Sequence, residues 1–139
     1  RVDLPVGGAP SAVQLLLGGA GSGLTAGQNL VGVYELAAGG VLLAQSADQS
    51  SAWASTGQKA ASLTVPLAAQ DPGAAVYVGV LFNGTTSPQL RGAAATASFV
   101  NALVPSTPRW ATAGTGLTAL PATLPAMTAA VATPWVGLS

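Results

Sequence analysis

Short apolar or alternating segments, separated by Gly, Pro, Asn and Ser, recur along the whole chain. Segments of this length with turn residues at both ends are typical of β-strands, whereas the spacing of an amphipathic helix is rare here. We predict strands at residues 11–17, 29–36, 40–45, 60–66, 75–82 and 130–138. Several short strands joined by turns predict an all-β fold, and specifically one antiparallel β-sandwich of jelly-roll type over residues 1–139, with at most one short helix.

One segment departs from this pattern. AATASFVNAL at residues 94–103 is rich in Ala, places Phe99 and Leu103 four residues apart and is followed by Pro105, which together favour a short helix. An irregular strand is the alternative. Beyond Val104 the chain is rich in Pro and Thr, which predicts an extended path along sheet edges and surfaces.

Two of the predicted strands are apolar on both faces. NLVGVYEL at 29–36 and AVYVGVLF at 75–82 each carry a Gly, Gly32 or Gly79, within an alternation of Val with Tyr or Leu. A strand that is apolar on both faces is buried on both, and a central Gly lets a neighbouring backbone or a bulky ring approach closely. We therefore predict these two as the central core strands.

Two turn signals flank these strands. The pair Gly39-Gly40 predicts a hairpin between the second and third strands, which should pair antiparallel, because both residues take positive φ without strain. The Asn-Gly-Thr sequence at Asn83 matches the acceptor pattern for N-glycosylation, but Asn-Gly after a strand is first of all typical of a hairpin turn. We interpret it as a turn.

A short motif, AG[S/T]GLTA, occurs twice, at residues 20–26 and 113–119. A glycine-rich loop that ends in a hydroxyl residue can hold a phosphate, but a P-loop has a Lys before its Ser or Thr, where this chain has Leu24 and Leu117. A dinucleotide-binding loop is followed by a helix, and here the sequence is strand-like. We interpret the repeat as two similar turns beside strands, with the Leu side chains packed inward and the Thr hydroxyls bonded to nearby backbone.

The composition argues against catalysis. The 139 residues include no Cys and no His, which removes thiol nucleophiles, Cys-based metal sites, and the commonest general base and metal ligand. A pair of catalytic carboxylates would have to come from Asp48, Asp71 or Glu35, and no spacing brings two of them together. Asp48 is interpreted as a cap of its own loop. We predict no enzymatic activity, no cofactor and no metal site.

Charged residues are scarce. Four basic and four acidic side chains make up 6% of the chain, where about 25% is usual. So few cations form no patch for nucleic acid, and the longest apolar stretch, residues 74–82, is far shorter than the roughly twenty residues of a membrane helix. Because weakly charged surfaces associate, we predict a homotrimer around a threefold axis, with contacts in the small-residue segments Ala93–Ala97 and Ala119–Val131.

The candidate contacts with a ligand or partner are Trp53, Asp48, Gln49, Arg109 and Trp110. Trp53 lies in the polar loop 46–58, where an exposed indole would stack on a sugar or a partner chain. Alternatively the loop folds back and the ring plugs one end of the sandwich, which is favoured because large apolar rings are usually covered. Arg109 beside Trp110 suits a cation–π pair, or a solvated Arg whose stem covers apolar surface. Trp135, in an apolar strand, is predicted to be core.

Four segments carry a resemblance to a known group of proteins: AGSGLTAGQNLVGVYE, SADQSSAWASTGQKAASLT, VYVGVLFNGTTSPQLRGAA and RWATAGTGLTALPATL. Together with the high content of Ala, Gly and Thr, they resemble the β-rich domains of minor tail and other virion structural proteins of phages that infect actinobacteria, over nearly the whole chain. The resemblance implies an oligomeric component of the tail tip, a fibre or the capsid surface, in contact with other virion proteins and a host-surface glycan.

Two function classes follow from these observations. The first is a tail or fibre module on the surface of the virion that contributes to particle assembly and host attachment, with capsid decoration or a head fibre as its alternative place. The second is a carbohydrate-binding module of a secreted bacterial protein, with Trp53 as its stacking platform. The chain begins at Arg1 without Met, which predicts a fragment or C-terminal domain of a longer protein.

Overall fold

The structure, a computed structural model, describes residues 2–4, 9–37, 39–68, 74–94, 111–129 and 132–139. These residues form fourteen strands, all paired antiparallel, and a single 3₁₀ turn at Ala52–Ala54. The strands are β1 (Val2–Asp3), β2 (Ala12–Gly19), β3 (Ser22–Leu24), β4 (Leu30–Glu35), β5 (Leu42–Gln45), β6 (Gly57–Ser62), β7 (Ala75–Leu81), β8 (Gly84–Thr86), β9 (Gln89–Leu90), β10 (Gly92–Ala94), β11 (Ala111–Thr112), β12 (Thr128–Ala129), β13 (Ala132–Pro134) and β14 (Val136–Leu138). The predicted all-β class is confirmed.

Two larger sheets organise the chain. Sheet A has the order β1-β7-β4-β5, and sheet B has the order β14-β2-β6. The short β9 also joins sheet B, on the same edge of β2 as β14, since Leu17 pairs with Gly57 on one side and with Leu90 on the other. Three two-stranded ribbons complete the topology: β3-β8, β10-β13 and β11-β12.

The main core lies between the two sheets. Alternate residues of β2, namely Val13, Leu15 and Leu17, are buried on one face of sheet B, and Val31 and Val33 of β4 are buried on the facing side of sheet A. All belong to one apolar cluster, so the sheets pack face to face as in a β-sandwich. The jelly-roll form of that sandwich stays a prediction.

The central strands of sheet A are the two predicted from their apolar faces. β4 and β7 pair over six residues, from Leu30 opposite Leu81 to Glu35 opposite Val76. β5 pairs antiparallel with the other edge of β4, as predicted. In the connection Gly39 has a φ of 69°, whereas Gly40 does not have the positive φ that was expected of both glycines. The central pair and the antiparallel pairing of β5 are confirmed.

A second apolar cluster covers the outer face of sheet A. A Cβ atom at Gly79 would lie 2.9 Å from Tyr34 Cε2, and one at Gly32 would lie 2.9 Å from Leu120 Cδ1. The absent side chains therefore leave room for the Tyr34 ring and for the segment 111–127, as predicted from the central glycines. This Pro- and Thr-rich segment runs along the sheet and bonds the start of β5, through Leu42 N to Ala122 O at 2.8 Å.

Tyr34 gives this second cluster a measurable signature at high pH. Its side chain is 1% exposed, its hydroxyl donates to Pro121 O at 3.1 Å, and burial raises the pKa of Tyr34 from 10.0 to about 12. The unfolded chain releases this proton near pH 10, whereas the folded chain keeps it until about pH 12, so the stabilisation is complete below pH 10 and is lost as the pH rises through 12.

We expect the free energy of unfolding to fall by about 2–3 kcal/mol over this interval. Urea unfolding measured at a series of alkaline pH values checks this. In the Tyr34→Phe variant the same interval should show a much flatter profile, because the titrating phenol is gone. Equal slopes in the two proteins would show that Tyr34 ionises equally well in the folded state.

The remaining strand and helix predictions differ in part from the structure. The segment predicted as one strand at 130–138 forms two strands, β13 and β14, separated by Trp135, with residues 130–131 outside the described residues. Of the predicted helix at 94–103, residue 94 ends strand β10 and the rest lies outside the described residues.

Candidate functional site

The loop 46–58, predicted to contact a ligand, folds back onto the sandwich. Trp53 is fully buried and packs edge-to-face on Phe82, with ring centroids 4.9 Å apart and planes at 73°. The single 3₁₀ turn places the ring, since Trp53 N donates to Gln49 O at 2.9 Å and Trp53 O accepts from Gly21 N at 2.9 Å. The interpretation of Trp53 as a plug is confirmed, and its use as a stacking platform is wrong because no face of the indole is exposed.

The other two predicted contact residues of this loop, Asp48 and Gln49, form hydrogen bonds that stabilise the loop. Asp48 Oδ1 accepts from the Ser50 hydroxyl at 2.9 Å and from Asn29 N at 3.3 Å, which confirms Asp48 as a cap of its own loop. Desolvation raises the pKa of Asp48, but hydrogen bonds from Ser50 and from the backbone of Gly27 and Asn29 outweigh it, and the net pKa is lowered. Gln49 Nε2 donates to Ala47 O at 2.9 Å. The predicted pair Arg109 and Trp110 lies outside the described residues.

Asn29 is the centre of a hydrogen-bond network beside the loop 46–58. Its side chain is fully buried, and Nδ2 donates to Thr25 O at 2.8 Å, to Asn83 O at 3.0 Å and to Ser50 Oγ at 3.1 Å. Its Oδ1 accepts from Asn83 N at 3.0 Å. The side-chain amide of Asn29 therefore joins three loops: the loop that leads into β4, the loop before the 3₁₀ turn and the loop after β7.

Asn83 extends the network to the second copy of the repeated motif. Its Nδ2 donates to Leu117 O at 3.0 Å and to Gln28 Oε1 at 2.9 Å, while its carbonyl accepts from Thr25 N at 2.9 Å. Thr25 belongs to the first copy and Leu117 to the second. The two copies of AG[S/T]GLTA thus meet the same Asn–Asn pair from two sides.

The two copies share one backbone feature and differ in another. Gly23 has a φ of 55° and the corresponding Gly116 a φ of 69°, which is the left-handed conformation that favours glycine. The first copy contains β3 and Leu24 packs against the main core, whereas the second copy forms bends without a strand. The two copies therefore share one left-handed glycine, but only the second forms bends, and the prediction of two similar turns is wrong for the first copy, which contains a strand.

The Asn83-Gly84 hairpin prediction is wrong. Gly84 does not have positive φ, and it begins β8, which pairs with β3 and not with the preceding β7. Gly84 is needed for another reason: a Cβ there would lie 2.8 Å from Leu24 Cα, so only glycine lets the two strands approach this closely.

A groove lies between the outer face of sheet A and the segment 111–127. Its volume is about 440 Å³, and its lining includes Tyr77, Gly79, Phe82, Leu117, Pro125 and Met127. No charged side chain occurs among its described lining residues. The groove continues the second apolar cluster. Its described, uncharged lining is suited to apolar packing and offers no ionised group for catalysis.

Among the described residues, four large apolar side chains are exposed: Val65 at 65%, Trp135 at 49%, Val41 at 43% and Leu43 at 36%. The prediction that Trp135 is core is wrong, because the neighbouring Val136 and Leu138 pack against the main core and the alternation of an extended chain turns Trp135 outward. The sequence PWVGL contains this alternation. The size and apolarity of the ring nevertheless favoured a core position for Trp135 over the outward position that the alternation indicates.

Val41 and Leu43 lie at the start of β5, and Val65 follows Thr64, which bonds the end of β5; we call these three exposed residues the β5 patch. β5 is the edge strand, and its register with β4 shifts after Leu42, which leaves Leu43 as the extra residue of a β-bulge. Thr64, beside Val65, donates its backbone N–H to Gln45 O at 2.8 Å and so closes the end of the strand. The segment 122–124 pairs along part of this edge, since Leu42 N donates to Ala122 O and Leu124 N donates to Gly40 O. The patch therefore consists of exposed apolar side chains and not of an unpaired backbone edge, and such side chains mark a surface suited to association.

Acidic side chains are dispersed in the described part of the chain, where no three of His, Cys, Asp or Glu come together as metal ligands. Within the same residues no helix is long and apolar enough to cross a membrane. Comparison of the chain with protein-family models, with curated proteins and with solved structures gives no match.

Proposed function

We propose that this chain is an oligomeric structural module of a virion, in a tail or fibre, that contributes to particle assembly and host-surface attachment. The four sequence segments that resemble actinobacteriophage virion proteins support this proposal. The scarcity of charge supports it independently, since a neutral surface with exposed apolar side chains is suited to permanent contacts between subunits.

The β5 patch is the observation that carries the assembly part of the proposal. Of the four large apolar side chains that are exposed in the described part of the chain, three lie in β5, directly before it, or next to a residue that bonds it. Ala122 and Thr123, from the segment predicted to form subunit contacts, lie directly beside it, since Thr123 forms an isolated bridge with Val41. Small exposed side chains next to larger apolar ones allow two backbones to approach closely, and the patch therefore offers a contact between copies of this chain.

The network around Asn29 fixes several loops before assembly. Side chains of Asn29, Asp48 and Asn83 join loops that are up to 54 residues apart in sequence. Loops fixed in this way lose little further conformational entropy on assembly, so that more of the contact energy remains as binding energy.

Charge substitutions in the β5 patch test the assembly proposal. In the double variant Val41→Lys, Leu43→Lys we expect the oligomer to dissociate to monomers, because assembly would desolvate two unpaired charges. Both side chains are exposed, so the free energy of unfolding of the monomer should change by less than about 1 kcal/mol. Light scattering after size exclusion gives the mass, and Thr86→Lys, at an exposed position of β8, is the matched control. An unchanged mass for the double variant would place the subunit contact elsewhere.

Capsid decoration or a head fibre is the alternative place for the same module. Mass spectrometry of intact particles, locating the chain and its copy number, distinguishes the head from the tail.

A carbohydrate-binding module of a secreted protein is the second candidate function. The exposed Trp135 favours it, in place of the buried Trp53. A monomer that binds a glycan would support this candidate, whereas a stable oligomer supports the virion module.

A further inference from the structure

The outer face of sheet B carries mostly small or uncharged polar residues. Strand alternation places Gln14 and Leu16 of β2 on this face, opposite the buried Val13, Leu15 and Leu17. Cross-strand pairing sets Gln14 between Ala60 of β6 and Gly137 of β14, and sets Leu16 beside Gln58. Small neighbours on both sides leave Gln14 and Leu16 as a floor that a flat ligand can cover.

Trp135 extends across this face. A Cβ at Gly137 would lie 4.0 Å from Trp135 Cη2 and 3.9 Å from Gln14 Cβ, so the indole edge occupies the space above Gly137 and reaches toward Gln14. The backbone fixes this position, since Trp135 N donates to Arg91 O at 2.8 Å and Arg91 N donates to Leu16 O at 2.7 Å. Nearly half of the Trp135 side chain remains exposed.

A row of hydrogen-bonded side chains crosses the same face. Gln14 Nε2 donates to Ser139 Oγ at 2.9 Å, and Gln58 Nε2 donates to Gln14 Oε1 at 3.3 Å. These bonds orient the two amides, while one carboxamide oxygen, that of Gln58, and the hydroxyl of Ser139 remain available at the ends of the row. Oriented groups of this kind match sugar hydroxyls, which both donate and accept.

The charge of the face selects the class of ligand. Among the described residues of this face, Arg91 has the only charged side chain, and its stem lies over Gly18, where a Cβ would be 2.6 Å from Arg91 Cγ. Gln14 and Gly18 are four residues apart on β2, or about 13 Å. An uncharged floor with an indole at one end and a single guanidinium at its rim complements a neutral ligand with one apolar side and many hydroxyls.

We infer that the outer face of sheet B is a binding platform for a neutral saccharide, in which the apolar face of a pyranose ring stacks on Trp135 and its hydroxyls bond Gln58, Ser139 and Arg91, the first two being oriented by Gln14. Aromatic faces with a negative quadrupole attract the weakly positive C–H groups of such a ring. The inference rests on the attachment role in the proposed function and assigns the chemistry of that attachment to one surface.

Calorimetric titration with a panel of neutral hexasaccharides of glucose, mannose, galactose and N-acetylglucosamine tests the platform. We expect at least one of them to bind with a Kd of roughly 10 µM to 1 mM and to shift the side-chain amide resonances of Gln14 and Gln58. Trp135→Ala should weaken this binding at least about tenfold, and Gln58→Ala to a lesser degree. Thr86→Ala, at an exposed position of β8 outside sheet B and outside the β5 patch, is the matched control and should bind normally.

The outcomes separate this inference from the proposed function. Binding by none of the neutral sugars, binding that survives in Trp135→Ala, or equal binding of an acidic hyaluronan hexasaccharide would overturn the platform. The mass of the protein, measured by light scattering in the same samples, reports assembly independently. An oligomer that binds no sugar contradicts only the platform, and a sugar-binding monomer contradicts only the assembly role.

Discussion

Replacing Trp53 with Ala is expected to lower the free energy of unfolding by about 3–5 kcal/mol, the largest effect of any single substitution considered. The side chain is fully buried in the main core, and its removal leaves a cavity beside Phe82 that the surrounding strands fill only in part. Chemical unfolding followed by circular dichroism measures the difference.

Trp135→Ala is the control for this substitution. The same ring is lost, but from a site that is 49% exposed, so the cost should stay below about 1.5 kcal/mol. If the two tryptophan variants lost stability equally, the assignment of Trp53 to the core and of Trp135 to the surface would be contradicted.

Replacing Asn29 with Ala is expected to cost about 2–4 kcal/mol. The substitution leaves the N–H of Asn83 without its acceptor, at a site where Asn29 itself is fully buried, and an orphaned buried group costs about 1–3 kcal/mol. The bonds from Asn29 Nδ2 to Thr25 O, Asn83 O and Ser50 Oγ are lost as well, although Asn83 O keeps its bond from Thr25 N. Because the amide joins three loops, we also expect faster hydrogen exchange at Thr25 and Asn83 than in the native protein.

Gln49→Ala is the matched control in the neighbouring loop. Its side chain makes one exposed hydrogen bond, to Ala47 O, so the free energy of unfolding should change by less than about 0.5 kcal/mol. An Asn29 variant that is as stable as the Gln49 variant would show that water replaces the amide at no cost, and that the loops are held by other contacts.

The sequence was sufficient to predict the features that depend on local pattern. The alternation around Gly32 and Gly79 predicted the central pair of sheet A, because a strand that is apolar on both faces is buried on both. Gly39 predicted the hairpin into β5, and the Pro- and Thr-rich segment was correctly expected to follow a surface. In each case a residue's own conformational preference agrees with the fold.

Features that depend on distant partners could not be predicted in this way. Asn29 meets Asn83 across 54 residues, and nothing near either residue distinguishes a buried amide from an exposed one. Asn83-Gly84 was read as a hairpin because its local preference is strong, yet the side chain of Asn83 is used by the network and Gly84 by the close approach of β3. Tertiary contacts override local turn preference at this position.

The candidate contact residues follow the same division. Asp48 and Gln49 were identified as polar residues of one loop, but whether such residues face a ligand or their own backbone depends on how the loop folds back. The indole that is available to a ligand, Trp135, was assigned to the core from its apolar surroundings, since its orientation depends on the register of β14 against β2.

Sedimentation of the 139-residue chain over a wide range of concentration and salt tests the central claim, assembly through a weakly charged surface, most directly. We predict one species of three times the chain mass of 13.4 kDa, unchanged from low salt to roughly 1 M salt because apolar contacts are not screened, and dissociated by mild denaturant. A species of 13.4 kDa at every concentration would contradict it.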